Sequence, residues 1–497
     1  MTFRSLKPLL LLPLPSSFFL LLMTTVAIDF GTSNTVVCIL NPDTESPETL
    51  RLGEISRIFK TNKFSGDSQE IPVVPTLVFV KEPGELVLGE KVRSQRLGQS
   101  QPERFFKAFK RDLAADFQPP SRNLDGQIYS TESVAENFIK TIWQQLYSQK
   151  IQPDKVIFTV PVGAFERYLD WFRDLATNIG ITEVQLIDES TAAALGYAIK
   201  RPGSLVLVVD FGGGTLDLSL VRTGVTSFLS QNKGTNIFSK GGVCAEVLAK
   251  SDAYVGGEDI DIWIVEDYLR QIGSSRAEVG EIGWQNLLEI AEKLKIQLSQ
   301  VNEAKESWFD DENFMSYDLE LNREKLEEIL ESRQLLEQLR QALDEVLSIA
   351  LGKGIAKTDI EQILLVGGTS LIPAVSNLVV SYFGRQKVKM DKPFEAVAWG
   401  ALALTQLTSV DDYLRHSYAI RLWEPYAKAY AYAPIFRKEM KYPCQSSEEL
   451  TLQVAKAFSI GVLALVAVPL FGQDYPNRPV RLVTAAVGGG IDFSARL

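Results

Sequence analysis

Two turns in this sequence combine a carboxylate with a backbone that can wrap an anion. Asp29-Phe30-Gly31-Thr32-Ser33-Asn34 follows the apolar run at Val26–Ile28. Gly31 lets the chain turn sharply, so the amides and hydroxyls after it can point at phosphate oxygens. Asp29 adds a carboxylate suited to hydrated Mg²⁺. Asp210-Phe211-Gly212-Gly213-Gly214-Thr215-Leu216-Asp217 repeats the design after Leu205–Val209. A structural hairpin needs one glycine or two; three in a row suit a ligand that approaches the main chain closely. Two further glycine pairs follow apolar segments, Gly256-Gly257-Glu258-Asp259 and Gly367-Gly368-Thr369-Ser370. Each turn alone is a weak signal. Together, in this order, they point to nucleotide phosphates and a hydrated metal.

Other chemistries are closed off by composition. The chain of 497 residues has one histidine, His416, and three cysteines, Cys38, Cys244 and Cys444, that lie far apart. A histidine triad, an HExxH metal site and a zinc or disulfide framework are therefore excluded. The cysteine usage suits a reducing cytosol. A formal charge of −11 argues against a nucleic-acid partner, because phosphate backbones call for a basic surface. Carboxylates, lysines, hydroxyls and backbone amides must do the work.

The elements that hold these groups read as α/β. Four Val- and Ile-rich runs, VAIDF, KVIFTV, LVLVVDF and QILLV, suit strands covered on both faces. Helical spacing is expected over 134–148, 163–178 and 325–351. Because the first and third strands carry similar Asp-Phe-Gly turns, the module reads as internally duplicated. Between Trp284 and Ser299, the residues Trp284, Leu287, Leu288, Ala291, Leu294 and Leu298 form one apolar stripe. Glu292, Lys295, Ile296 and Ser299 form a second face, which spacing alone assigns to solvent.

Both ends differ from the middle. Residues 1–22 pair Arg4 and Lys7 with an apolar run, as a secretory signal does, but no spacer precedes the strand at Val26. Translation is expected to start at Met23. From Lys456 a second basic-then-apolar stretch appears, too short for the ~20 residues of a membrane span.

Residues 24–408 resemble the nucleotide-binding domain of the seventy-kilodalton heat-shock chaperones (the Hsp70 family). AIDFGTSNT and VVDFGGGTLDLSL resemble its two phosphate loops, LLVGGTSLIPAV its adenosine loop and IDESTAAALGYA its connecting motif. VGGEDID is more diagnostic, since actin and the sugar kinases lack it. The resemblance implies a duplicated actin-like ATPase fold, with two lobes around a central nucleotide cleft. It also implies hydrolysis of ATP to ADP and phosphate with Mg²⁺. Asp29, Glu189 and Asp210 match carboxylates around Mg²⁺ and the attacking water, acting mostly through water on the metal. Lys110, in FFKAFKRDL, matches a lysine near the γ-phosphate. Gly31, Thr32, Ser33, Asn34, Gly212, Gly213, Gly214 and Thr215 match phosphate contacts, and Asp217 an acidic position near the metal and its monovalent ions, such as K⁺. Gly256, Gly257, Gly367, Gly368 and Thr369 belong to the matching loops. Glu292, Lys295 and Ser299 match nucleoside contacts, which replaces the solvated reading of that helix face.

The match is not uniform. Ile296 and Leu371 stand where the family sandwiches adenine between two arginines, and Phe394 stands where it usually has aspartate. Losing the guanidinium stacking predicts weaker or less base-selective nucleotide binding. Residues 409–454 read as the start of a β substrate domain and not a complete peptide clamp. YPNRPVRLVTAAVGGGIDFSARL resembles the mature start of periplasmic solute receptors of the tripartite tricarboxylate type. Residues 455–497 thus read as a foreign piece joined by gene fusion or sequence assembly, with a short membrane-associating tail as the other reading. The implied partners are unfolded polypeptide, a co-chaperone or a nucleotide-exchange factor, in the cytoplasm, with no nucleic acid or membrane. An actin-like scaffolding ATPase and a small-molecule kinase are the alternatives within the superfamily.

Overall fold

The apolar runs before the two Asp-Gly turns become the central strands of two sheets. The first lobe holds β1 (Thr25–Phe30), β2 (Asn34–Leu40), β3 (Arg57–Asn62), β4 (Ser68–Pro75), β5 (Lys155–Val160) and β6 (Glu183–Asp188), in the order β6-β5-β1-β2-β4-β3. The second holds β7 (Leu205–Phe211), β8 (Leu216–Thr226), β9 (Gly242–Ala253), β10 (Gln362–Val366), β11 (Val388–Lys389) and β12 (Leu407–Tyr413), in the order β11-β10-β7-β8-β9-β12. β1 runs parallel to β5 and antiparallel to β2; β7 runs parallel to β10 and antiparallel to β8. The likeness between the two Asp-Phe-Gly motifs therefore extends to whole sheets. Every residue of β7 is buried, as a run of this kind requires.

This computed structural model describes residues 24–413 except 42–43, 45, 63–67, 116–117, 163, 165, 182, 199–202, 227–241 and 312–313, together with 418–424, 429–436, 441–442, 480–486 and 489–495. The N-terminal apolar segment, Met23, His416 and the apolar stretch after Lys456 lie outside the described residues. Tyr418–Glu424 pairs antiparallel with Ala429–Phe436 and with Val480–Ala486, which in turn pairs with Gly489–Ala495. Among the described residues no helix is long and apolar enough to cross a membrane.

The helices that matter for the cleft are α1 (Phe109–Ala114), α2 (Thr131–Ser148), α3 (Glu166–Asn178), α4 (Glu189–Ala198), α5 (Gly257–Gln271), α6 (Arg276–Leu298) and α7 (Ala396–Leu402). α2 starts on a capping box in which Ser130 and Ser133 exchange side-chain-to-amide hydrogen bonds of 3.1 and 2.9 Å. α6 begins before Trp284 and bends at Gly280, whose φ is +67°. Its expected apolar stripe is buried from Trp284 to Leu298. The single helix expected over 325–351 is instead two, Arg323–Ser332 and Leu335–Gly352. Gln334 separates them in the left-handed region at φ +59°, and a helix cannot pass through that conformation.

Three apolar clusters hold these layers. One packs α2 and α3 on the outer face of the first sheet, and one packs α6 and the 335–352 helix on the outer face of the second. The third lies between the sheets and draws Ala27, Val36 and Ile157 from the first, Val206, Val208 and Val221 from the second, and the Ala-rich faces of α4 and α7. These two helices cross at glycines. A Cβ on Gly196 would stand 2.7 Å from the Gly400 Cα, and one on Gly400 would stand 1.8 Å from the Ala192 carbonyl oxygen.

Candidate functional site

The central strands β1 and β7 end side by side, and each delivers an aspartate and then a glycine turn to the gap between the lobes. Around the first turn, Thr76 Oγ1 donates to the Gly31 carbonyl at 2.8 Å, and the Thr76 amide donates to the Ser33 carbonyl at 2.9 Å. The second turn is closed by the Gly212 amide on the Thr215 carbonyl, 3.0 Å. Two of its glycines face the first turn at close range: a Cβ on Gly213 would meet Ser33 Oγ at 2.1 Å, and one on Gly214 would meet Thr32 Oγ1 at 2.6 Å. The two phosphate-type turns therefore touch.

The other two glycine turns lock onto this pair. The Gly257 amide donates to the Gly212 carbonyl at 3.1 Å, and the Glu258 amide to the Gly213 carbonyl at 2.9 Å. Thr369 Oγ1 also donates to the Gly212 carbonyl, at 2.7 Å. Glu258 and Asp259 then reach back to the first lobe. Ser33 Oγ donates to Glu258 at 2.8 Å, and Arg111 Nη1 donates to both Asp259 oxygens at 2.8 and 2.9 Å.

All the residues singled out from sequence line one cleft here, except Asp217 and Gly256. Asp217 lies behind the second turn, paired across the β7–β8 ladder with Asp210, and it accepts the Val162 amide at 2.8 Å. Gly256 sits against the Gly213 carbonyl, where a Cβ would stand 2.4 Å away. At the phosphate end, Lys110 Nζ donates to Glu189 Oε1, and both side chains are buried. Glu189 is the first residue of α4, where a helix N-terminus favours negative charge. At the other end Lys295 Nζ donates to the Gly257 carbonyl at 2.7 Å and stands 2.7 Å from Asp261 Oδ1. Glu292 faces the cleft, but its two oxygens are each 3.0 Å from Arg93 Nη2.

Sequence motifs gave no sign of several participants. Thr159 Oγ1, at the end of β5, donates to Asp29 Oδ1 at 2.8 Å. The Tyr168 hydroxyl on α3 is buried and has no hydrogen-bond partner among the described residues. Arg93, Phe59 and Gln300 are equally unannounced, because no glycine turn or charged pattern marks their segments.

Glu189, Asp210 and Asp217 are buried together with Asp29 partly buried beside them, and Lys110 is the cation they share. Burial, and then the Glu189 charge, raise both Asp29 and Asp217 to about 7. The same causes push Asp210 well above the usual carboxylate range. Burial is the largest influence on the Lys110 ammonium and works against it, but the Glu189 charge and hydrogen bond together with the Tyr168 and Asp29 charges outweigh it and hold the group above its ordinary value. So much buried acid around one lysine fits a site that takes a further cation. Among the described residues, no three His, Cys, Asp or Glu side chains converge so as to hold an ion directly.

A pH dependence follows. With folded values raised to about 7, Asp29 and Asp217 bind more protons folded than unfolded across the interval from their ordinary 3.8 to about 7. The stability they contribute is complete below that interval and is lost as pH rises through it. Binding of a divalent cation has the opposite slope, since it needs the ionised forms and releases protons. Magnesium-nucleotide affinity is expected to rise from pH 6 to about 8 and then level off. Calorimetric titration in two buffers of different ionisation heat should show that proton release; identical heats at pH 6 would contradict it.

Residues 87–413 match the family model described as Hsp70 protein. The Chaperone protein DnaK of Thermosipho melanesiensis is 28% identical to this chain over 389 residues, covering 76% of this chain and 58% of that protein. Those of Thermotoga neapolitana and Thermotoga maritima are each 28% identical over 386 residues, with the same 76% and 58%. The chain thus spans 58% of the length of these relatives.

Proposed function

Because the chain belongs to the Hsp70 family, we propose that residues 23–408 bind ATP in this cleft and hydrolyse it, coupling nucleotide state to lobe closure and to a partner. The observation that carries the reading is the buried Lys110–Glu189 pair, set with Asp29 and Asp210 beneath two touching glycine turns.

Phosphoryl transfer asks for charge neutralisation, an oriented water and in-line geometry more than for covalent help. The amides of Thr32, Ser33, Gly213 and Gly214, with the Thr32 and Thr215 hydroxyls, bind phosphate oxygens, while the Gly31 and Gly212 amides and the Ser33 hydroxyl hold the turns themselves. Lys110 adds a cation at the γ end. Asp29, Glu189 and Asp210 are the residues that would hold Mg²⁺, which would supply further neutralisation of the phosphates when bound. The carboxylates orient the attacking water and accept its proton as the bond to ADP breaks. Asp217, behind them, suits a monovalent ion such as K⁺.

The clients and helpers of the longer DnaK chaperones are carried over only as part of this proposal. They are unfolded polypeptide, a co-chaperone and a nucleotide-exchange factor, met in the cytoplasm. Residues 409–454 are taken as the first strands of a substrate domain, and 455–497 as a joined piece resembling a solute-receptor start. VGGEDID, which stitches the lobes through Glu258 and Asp259, favours this branch over filament-forming and sugar-kinase relatives.

The test is phosphate release from ATP by the full chain with and without Mg²⁺. Steady, Mg²⁺-dependent release of phosphate is expected without any added acceptor. Hydrolysis only with a sugar or acetate, yielding a phosphorylated product, would mean a kinase. Sedimentable filaments on adding ATP would mean a scaffold.

A further inference from the structure

The nucleoside end of the cleft is walled from an unexpected side. Ile296 and Leu371 leave no guanidinium beside a base on the second lobe, but the first lobe brings one in. Arg57 and Phe59 are two residues apart on β3 and so share a face. The Arg57 guanidinium carbon lies 4.5 Å from the Phe59 ring centre. Phe59 stacks in turn on Phe394, which precedes α7, with centroids 4.9 Å apart and planes 11° apart. Both rings line the cleft, as do Ile296, Ser299, Gln300 and Leu371. Phe394 lies along the fourth glycine turn, its Cε1 3.4 Å from where a Cβ on Gly368 would be.

A bland account exists: both rings also rest on the apolar cluster between the lobes. Two observations favour more than packing. Both rings are only partly buried where they line the cleft, and with Arg57 on one face of Phe59 and Phe394 on the other, the outer face of Phe394 is the end of the stack left to a further planar group. Arg57 is half-buried over Phe59, where the Glu292 and Glu90 charges act on it, and its guanidinium faces the ring. A structural pair of phenyl rings needs no such cation, whereas an extended stack that takes one more planar group is strengthened by it.

We propose that Arg57, Phe59 and Phe394 form the base subsite of the cleft, and that it takes purines by stacking and holds adenine and guanine alike. This rests on the nucleotide-binding reading above. Stacking is indifferent to the base edge because every base has a π-face, and the larger purines gain more from it. Gln300 offers both a donor and an acceptor, and Ser299 Oγ, which donates to the Lys295 carbonyl at 3.3 Å, can still accept, so neither purine edge is refused. The stacking lost at Ile296 and Leu371 is thus restored by the first lobe, and the base touches both lobes at once.

Calorimetric titration of the full-length protein with the Mg²⁺ forms of ATP, GTP, CTP and inorganic tripolyphosphate tests this. ATP and GTP are expected to bind within about threefold of each other, and CTP about tenfold more weakly. Phe59→Leu and Phe394→Leu should each weaken ATP and GTP by about tenfold, with tripolyphosphate unchanged. ATP binding undiminished in both variants would overturn the subsite while leaving nucleotide binding intact. So would an adenine preference over guanine beyond about tenfold. An equal loss toward tripolyphosphate would make the rings purely structural. Wild-type protein that binds tripolyphosphate but no nucleotide would overturn the nucleotide reading itself.

Discussion

Mg²⁺-dependent ATP hydrolysis should fall by about 10²–10³-fold when Lys110 or Asp210 is replaced by alanine, the range seen when one preorganised charge is removed from a reaction site. The two losses have different causes. Without Lys110 the carboxylates face one another with no cation between them, and the proton affinities of Asp29, Asp210 and Asp217, which Lys110 holds down, rise further. Removing one partner of a buried ion pair also costs about 3–5 kcal/mol, because the other charge is left uncompensated. Lys110→Ala should therefore lose both rate and stability. Asp210→Asn separates the two effects. Asp210 is already pushed up by burial and by its acidic neighbours, so neutralising it relieves repulsion. That variant should melt no lower than wild type while hydrolysis collapses. Single-turnover rates and thermal melts on the same preparations give both readouts; equal rates in wild type and both alanine variants would remove these residues from the site.

Gly400→Ala is expected to be among the most damaging single-methyl changes in the protein. The added Cβ would stand 1.8 Å from the Ala192 carbonyl oxygen and 2.5 Å from its carbon, so backbone must move. α4 and α7 lie between two sheets and cannot shift apart without opening the cluster on both sides. Overpacking of this kind costs typically 1–3 kcal/mol and more where the obstacle is main chain; a loss above about 3 kcal/mol is expected. Urea unfolding would measure it, and a change under about 1 kcal/mol would show that the crossing yields freely. Because α4 opens with Glu189, displaced helices should also blunt the site.

Which parts of this could be read from residues follows from how local each signal is. A Val-rich run ending in Asp-Gly states strand, turn and ligand within ten residues, so β1 and β7 and their loops were legible. The paired sheets extend that duplication through contacts no short motif contains. The amphipathic period continues across Arg333 and Gln334, both flanking helices bury their apolar faces in the same cluster, and neither residue type announces the break. At the site, Lys110 and Glu189 were legible through the motifs around them. Thr159, Tyr168, Arg57 and Phe59 were not, since only tertiary folding brings them to the cleft. Glu292 shows the limit from the other side: its helix face was readable, but its partner Arg93 is 199 residues away in sequence.

The cluster between the sheets bears on how the molecule responds to heat. Neither sheet can keep its inner face dry alone, because α4 and α7 cover both at once. The lobes are thereby one thermodynamic unit, and unfolding either exposes the apolar surface of the other. A ligand held only by the folded cleft stabilises that whole unit by RT ln(1 + [L]/Kd), about 2.7 kcal/mol at a hundredfold excess over Kd. Occupancy of a few glycine turns is in this way felt by residues on the far side of each lobe, through shared cooperativity and without any change in their own contacts.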